Sequence, residues 1–514
     1  MNRRQLIRTA LATGLVAATR TGAAAPATVK FRDDPFTLGI ASGEPTSDRI
    51  VLWTRLAPEP LAPLGGLSAP FIPVDWVLAT DERCANVVRS GTAYATPDWA
   101  YSVHIELVRL DPGRTYWYRF TAGGVQSPIG RTRMAPAPGA AVDRLRFAVA
   151  SCQQYEHGYY GAYRHMLDDD LDFIVHVGDY IYEESWGVAP FVRQHPQREV
   201  YTLDDYRAQY ALYKQDPDLR AAHAAHPWFV TWDDHEVEND YATDHSVNGD
   251  DPVWFHERRA AAYRAYYEHQ PLPRRAVPFG AGLRLHTGVR FGDLANLILL
   301  DTRQYRSVRL CPRPPGSSKV LADCRAGESP ADSMLGARQE NWLDYQLATS
   351  RARWNLLAQS VVMSYIDEES GPQRRYWTDS WNGYSAARQR LLDTLTRNEA
   401  TNPVILSGDI HSFLVGGIRA RPDDRTTNLL ASEFVTSSIS SQGLPESHIA
   451  ALRQANPDLA FGTSAHRGYL RLALTPKRLE ADLVAMERTD TRDTPRRTLA
   501  SFVVEDGVAG PLRA

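Results

Sequence analysis

The stretch Phe173-Ile174-Val175-His176-Val177-Gly178-Asp179-Tyr180-Ile181-Tyr182-Glu183 decides how this chain reads. A short apolar run fit for a buried strand stops at Gly-Asp. Gly178 lets the backbone turn sharply. Asp179 then stands at the carboxyl end of a strand, the place where open α/β sheets hold ligands and metals. Tyr182 comes three residues later and sets a phenol beside the carboxylate. His176 lies inside the run and reads as a core histidine, and Tyr180, the nearest look-alike of Tyr182, stays unassigned.

Working outward, similar runs at 145–150, 171–177, 228–231, 294–300, 354–358 and 403–406 alternate with segments long enough for helices, such as 162–169, 257–269 and 384–397. That alternation predicts an α/β region. The residues just past the runs carry the chemistry: Ser151-Cys152-Gln153, Gly178-Asp179, Trp232-Asp233-Asp234-His235-Glu236, Asp301-Thr302-Arg303 and Ser407-Gly408-Asp409-Ile410-His411. Any one of these would be ordinary loop chemistry. Together they point to a single crevice, because the carboxyl ends of parallel strands converge.

A pair of metal ions needs one carboxylate able to bridge them and further ligands on each side. Asp179 fits the bridge. Tyr182 as phenolate and Cys152 as thiolate suit a strongly Lewis-acidic ion such as Fe³⁺. Asp234 and Asp409 are hard oxygen donors matched to Ca²⁺, Mg²⁺ or Mn²⁺, and His411 can share the face of Asp409 on an extended segment. Asn239 reads as an oxygen ligand or a turn residue. His235 has a different task, contacting a phosphoryl oxygen or giving a proton to a leaving group. Asp301 and Arg303 read as a structural ion pair, with a phosphate clamp the other reading of Arg303.

The N-terminal region differs in character. Residues 1–27 combine a basic start, an apolar middle too short to span a bilayer and an Ala25-Pro26-Ala27 ending that fits signal cleavage. Arg3-Arg4 followed by Gln5-Leu6-Ile7 resembles a twin-arginine signal, so the expected partner is the Tat export machinery and the expected location is periplasmic or extracellular. Residues 28–138 are expected to form one domain and 139–514 another, with a Pro/Ala/Gly-rich linker at 135–142. Within the first, short strands at 50–54, 74–79, 101–107 and 115–121 between Gly, Pro and Asp turns resemble a fibronectin-type or immunoglobulin-like β-sandwich. The segment 469–484 alternates and predicts an antiparallel hairpin around Thr475-Pro476-Lys477-Arg478.

Composition narrows the function classes. With 514 residues, 43% of them apolar, the chain can fill more than one core. A net charge of −4 argues against nucleic acid as a partner. No run after the leader is long and apolar enough for stable membrane insertion. Four cysteines are few for an exported chain of this size; Cys311 and Cys324 bracket a Pro/Gly/Ser-rich stretch and are plausible loop-disulfide partners.

Taken together, these motifs resemble the PhoD-type alkaline phosphatase/phosphodiesterase family, a branch of the calcineurin-like metallophosphoesterases. The resemblance also covers Phe36-Thr37-Leu38-Gly39-Ile40-Ala41-Ser42-Gly43-Glu44-Pro45, Val51-Leu52-Trp53-Thr54-Arg55 and Asp379-Ser380-Trp381-Asn382-Gly383-Tyr384. It implies a four-layer αββα sandwich preceded by a β-sandwich domain. It also implies Fe³⁺ on Cys152, Asp179, Tyr182 and His411, and Ca²⁺ on Asp179, Asp234 and Asp409, with Asn239 less firmly placed. The substrate implied is a phosphate monoester or diester. The chain departs from the broad superfamily where Ser151-Cys152-Gln153 replaces Asp-x-His, Asp233-Asp234-His235 replaces Gly-Asn-His, and Gly408-Asp409-Ile410-His411 replaces Gly-His-x-His. Nitrogen ligands have become oxygen and sulfur, which favours a mixed Fe³⁺/Ca²⁺ centre over a dizinc or dimanganese one. Two other readings are a phospholipase-D-like diesterase on lipid headgroups and a non-catalytic calcium-dependent binding protein. A thiolate ligand speaks against the second.

Overall fold

A computed structural model describes residues 29–196, 198–308, 320–322, 329–369, 374–422 and 424–514. The leader at 1–27 and the cysteine pair Cys311 and Cys324 lie outside the described residues.

Two large sheets pack face to face. In the first, of ten strands, Leu145–Ala150, Phe173–His176, Pro227–Val230 and Ile40–Gly43 run parallel at the centre. The second has seven strands, with Ala295–Leu299, Trp354–Ala358, Pro403–Ser407 and Leu429–Val435 parallel at its centre. The period-2 alternation of a strand explains the layering. Phe173 and Val175 point into the core between the sheets with Leu297, Leu356 and Leu406, whereas Ile174 points outward beneath helices. Phe173 stacks on Phe147 at 4.9 Å and on Phe291 at 4.8 Å, contacts worth about 0.5–1.5 kcal/mol each beyond the area they bury.

Helices cover both outer faces. Leu203–Lys214 opens with a capping box in which Thr202 and Asp205 satisfy each other's backbone, and Pro252–His269 opens on the Asp251 cap with proline in its first turn. They pack over the first sheet, while Gly336–Ala348 and Ser385–Arg397 pack over the second. The expected four-layer αββα sandwich is therefore present. The hairpin is present as well, as Gly468–Leu474 paired antiparallel with Arg478–Met486.

The N-terminal β-sandwich is built in an unexpected way. One of its sheets comprises Ile72–Ala79, Val87–Ala95, Thr115–Ala122, Val125–Gln126 and Gly130–Arg133. The facing strands, Arg49–Arg55 and Ser102–Val108, continue the ten-stranded sheet through Ile40–Gly43, which pairs parallel with Pro227–Val230. Ile50, Leu52, Val103 and Ile105 thus share a core with Val74, Tyr118 and Phe120. The strand Val87–Ala95 is largely exposed, so it lacks the buried alternation that would reveal it in sequence. Among the described residues no helix is long and apolar enough to cross a membrane.

Candidate metal centre

The candidate ligands sit in loops just beyond the central strands. Cys152 follows Leu145–Ala150, Asp179 follows Phe173–His176, Asp234 follows Pro227–Val230, and Asp409 and His411 follow Pro403–Ser407. A buried acid, Glu236, clasps two of these loops together. Its carboxylate accepts from the backbone N–H groups of Tyr180 at 2.7 Å, Asp233 at 2.9 Å and Asp179 at 3.2 Å. Gly178 is required beside this clasp: at φ +117° it brings its backbone so close to Asp233 that a Cβ would lie 2.6 Å from Asp233 Cβ.

Two ligand groups form, and Asp179 belongs to both. One atom each from Cys152, Asp179 and His411 lie within 4.8 Å of one another, as do atoms from Asp179, Asp234 and His235. The Tyr182 hydroxyl completes the first group, 3.2 Å from Asp179 Oδ2 and 3.0 Å from His411 Nε2. His411 Nδ1 donates to the Gln442 carbonyl at 2.7 Å, which leaves the Nε2 lone pair directed at the group. Asp409 lies at the rim, its backbone carbonyl 4.0 Å from Cys152 Sγ. Asp179 Oδ1 and Asp409 Oδ2 are buried with no hydrogen-bond partner among the described residues.

Backbone strain marks the same residues. Cys152, Asp179, Asp409 and His411 all have φ between +53° and +71°. That left-handed region costs a non-glycine residue of order 1–3 kcal/mol. Four candidate ligands held this way shows that the surrounding fold enforces their orientation.

Electrostatics show whether metal ions fit here. Burial pushes the Asp179 carboxyl well above its usual range, and Asp234, Asp233 and Glu236 add to the effect against the pull of His235. Burial, then Asp233 and Asp379, do the same to Asp409. The Cys152 thiol and Tyr182 phenol are raised by burial and by Asp179, while burial takes His411 down to about 3. Acidic donors and a neutral imidazole crowded into a buried site are what a multivalent cation stabilises, since its charge opposes the upward shifts of the acids and favours the neutral imidazole that can ligate it. The residues present fit metal ions.

Beside the second group, His235 Nδ1 lies 2.7 Å from Glu183 Oε2. Burial lowers the His235 pKa, but the carboxylates of Glu183, Asp234 and Asp179 outweigh it and hold the imidazole well above its usual value. Arg303 is fully buried and committed to acids: Nε to Asp233 at 2.5 Å and Nη2 to Asp379 at 2.7 Å, with Asp234 at 3.4 Å. Asp301 accepts from Trp232 Nε1 at 2.9 Å instead of forming an ion pair with Arg303. Asn239 gives its backbone N–H to Glu183 Oε1 at 2.6 Å.

Several residues escaped the sequence reading. Asp240 and Asp379 form a third acidic group with Asp234. Ser441 Oγ lies 2.8 Å from the Tyr182 hydroxyl, where it can donate to a phenolate. Glu183 was adjacent to Tyr182 and Asp240 to Asn239, so neighbouring acids were a usable signal; nothing local singled out Ser441. Tyr180 is a core residue, its hydroxyl 2.8 Å from His223 Nε2.

Known proteins share both the motifs and the fold. Residues 147–483 match the family model described as PhoD-like phosphatase, and residues 22–136 match that of the PhoD-like phosphatase N-terminal domain. Alkaline phosphatase D of Bacillus subtilis (strain 168) is 42% identical over 511 residues, spanning 97% of this chain and 86% of that protein. A solved structure described as that of PhoD superposes with a TM-score of 0.91 at 40% identity, covering 95% of this chain and 93% of the other. On this match, which runs through the motifs and the fold alike, the chain belongs to the PhoD-like phosphatase family.

Proposed function

We propose that the protein is a phosphoric ester hydrolase that cleaves phosphate monoesters or diesters at a dinuclear Fe³⁺/Ca²⁺ centre. One observation carries the reading: Asp179 is common to two ligand groups of unlike chemistry. The side with Cys152, Tyr182 and His411 offers sulfur, phenol oxygen and nitrogen, suited to Fe³⁺. The other side, with Asp234 and the nearby Asp409, offers hard oxygen suited to Ca²⁺, with Asn239 the remaining oxygen donor. Bound metal ions would neutralise phosphoryl charge and acidify water.

The chain's own residues do the rest. Glu183 fixes the His235 ring so that Nε2 faces away from the acid, free to hydrogen-bond a phosphoryl oxygen or to hand a proton to the departing alcohol. Glu236 holds the Asp179 and Asp233 loops in register. Arg303 offsets the charge of Asp233, Asp234 and Asp379, which serves the acidic network, so substrate contact falls to His235 in this reading. The twin-arginine pattern at 1–27 supports a reaction outside the cytoplasm, testable by fusing that segment to a reporter with and without Arg3-Arg4.

Elemental analysis combined with turnover of a monoester and a diester, before and after chelation, tests the proposal. Iron and calcium are expected together, with activity lost on their removal. Full activity in metal-free protein would refute it.

A further inference from the structure

Trp186 has no part in metal binding or proton transfer, although it touches more of the centre's rings than any ligand does. Its indole centroid lies 5.4 Å from the ring of Tyr182, 5.3 Å from that of His157, 5.4 Å from that of His411 and 5.9 Å from that of His235. Those four neighbours are buried, whereas Trp186 is half-buried. The indole is therefore where a polar, enclosed centre shows an apolar face to solvent.

The loop that carries it is clamped at its neck. Glu156, itself buried, accepts from the Trp186 N–H at 2.7 Å through Oε1 and from Ser185 Oγ at 2.6 Å through Oε2, and its carbonyl accepts from the Val192 N–H at 2.7 Å. Arg193 locks the far side by lying 3.7 Å over the Tyr155 ring and 4.3 Å over that of Tyr160. Between the two ends, Val188 and Phe191 are 52% and 61% exposed. A clamped loop that sets an indole beside a charged centre and carries further exposed apolar side chains supplies the kind of apolar wall that ligand pockets place around a few polar groups.

We infer that Trp186 forms the subsite for the organic group of the phosphate ester, and that this group is flat and apolar, an aryl or similar planar substituent rather than a small polyol. The inference rests on the reading of His235 as the phosphoryl contact. A phosphoryl oxygen at His235 puts its organic substituent within van der Waals reach of the indole, and a planar group can stack there.

Phenylphosphonate and methylphosphonate, tested as competitive inhibitors, isolate the effect because they share the phosphonate and differ only in the group that meets Trp186. The wild-type protein is expected to bind the phenyl compound more tightly, roughly 3- to 10-fold in inhibition constant, the range one aromatic pair supplies. Trp186→Ala should bring that ratio close to one and Trp186→Phe should keep most of it. Both constants come from the same variant, so a general loss of active protein cancels. If Trp186→Ala does not fold, Trp186→Leu keeps apolar volume and carries the same expectation. A ratio of one in the wild type, or a ratio unchanged by loss of the aromatic ring, overturns the subsite. A wild-type protein that turns over no phosphate ester overturns the function reading itself, a distinct outcome that takes the subsite with it.

Discussion

His235 and Glu183 are joined through Nδ1 and Oε2 at 2.7 Å in a part of the fold where both side chains are almost fully withdrawn from water. The acid fixes the orientation of the imidazole and turns its other nitrogen away from the carboxylate. Burial raises the Glu183 pKa, yet His235 and Arg258 more than offset this and leave it below its usual value, so the pair is held ionised from both sides.

Replacing Glu183 by Gln should therefore leave metal content intact and lower kcat roughly 10- to 100-fold, with KM changed little. Steady-state kinetics and elemental analysis on one preparation check this. Loss of metal in parallel with rate would mean that Glu183 is architectural.

Asp179→Asn removes a charge shared by both ligand groups. Metal content and activity should fall together, to a few per cent or less of wild type, because Asp179 is the carboxylate that the Cys152 and Asp234 groups share among the described residues. Elemental analysis of the variant alongside its turnover is the measurement, and wild-type turnover would sink the bridging assignment.

Tyr182→Phe tests the ion on the other side. A phenolate on Fe³⁺ would give the holoprotein a visible charge-transfer band, and the variant should lose that band while keeping its fold by circular dichroism. A colourless, iron-free wild-type protein with full activity would contradict the role given to Tyr182.

Arg303 and Asp379 belong to a wholly buried charge network in which Arg306 also binds Asp379, at 2.9 Å, so removing the acid takes a carboxylate from two buried guanidiniums. Asp379→Ala should destabilise the protein by about 3–5 kcal/mol in a denaturant titration. Arg303→Met should be comparably harmful, since it takes the guanidinium from Asp233 and Asp234 and leaves Asp379 with Arg306.

Lys214 offers a test by pH. Its ammonium is buried, 4.4 Å over Trp53 and 5.2 Å over Tyr180, and burial lowers its pKa from 10.5 to about 7. Between those values the unfolded chain holds a proton that the folded one lacks, so this group makes stability rise with pH by about 1.4 kcal/mol per unit. Lys214→Met should remove that slope. The variant's stability relative to wild type should be greatest at pH 7 and below and should shrink as the pH climbs toward 10.5. Chemical denaturation across roughly pH 6–10 reads it, and parallel curves for the two proteins would refute the assignment.

Much of the site was legible because its residues lie at strand ends, and strand ends are marked by an apolar run stopping at a polar pair. Cys152, Asp179, Asp234 and His411, read this way, come together in the two candidate ligand groups, with Asp409 at their rim. Asp240 shows the limit, since only the fold brings it to Asp234 and Asp379. Arg303 shows another: its residue type allowed a phosphate clamp or an ion pair, and only the arrival of Asp379 from a segment far along the chain commits its guanidinium to acids.

The sequence by itself determined an α/β region and a candidate donor set of unlike chemistry, because strand period, turn residues and ligand hardness are local properties of the residues, while the four-layer order came from the family resemblance. Tertiary structure alone decided that Glu236 ties the ligand loops together, that Asp379 reaches Arg303, and that strands of the N-terminal sandwich extend the ten-stranded sheet. Each of these depends on which distant segments pair, and pairing is set by the packing of the whole core, which no single stretch of residues encodes.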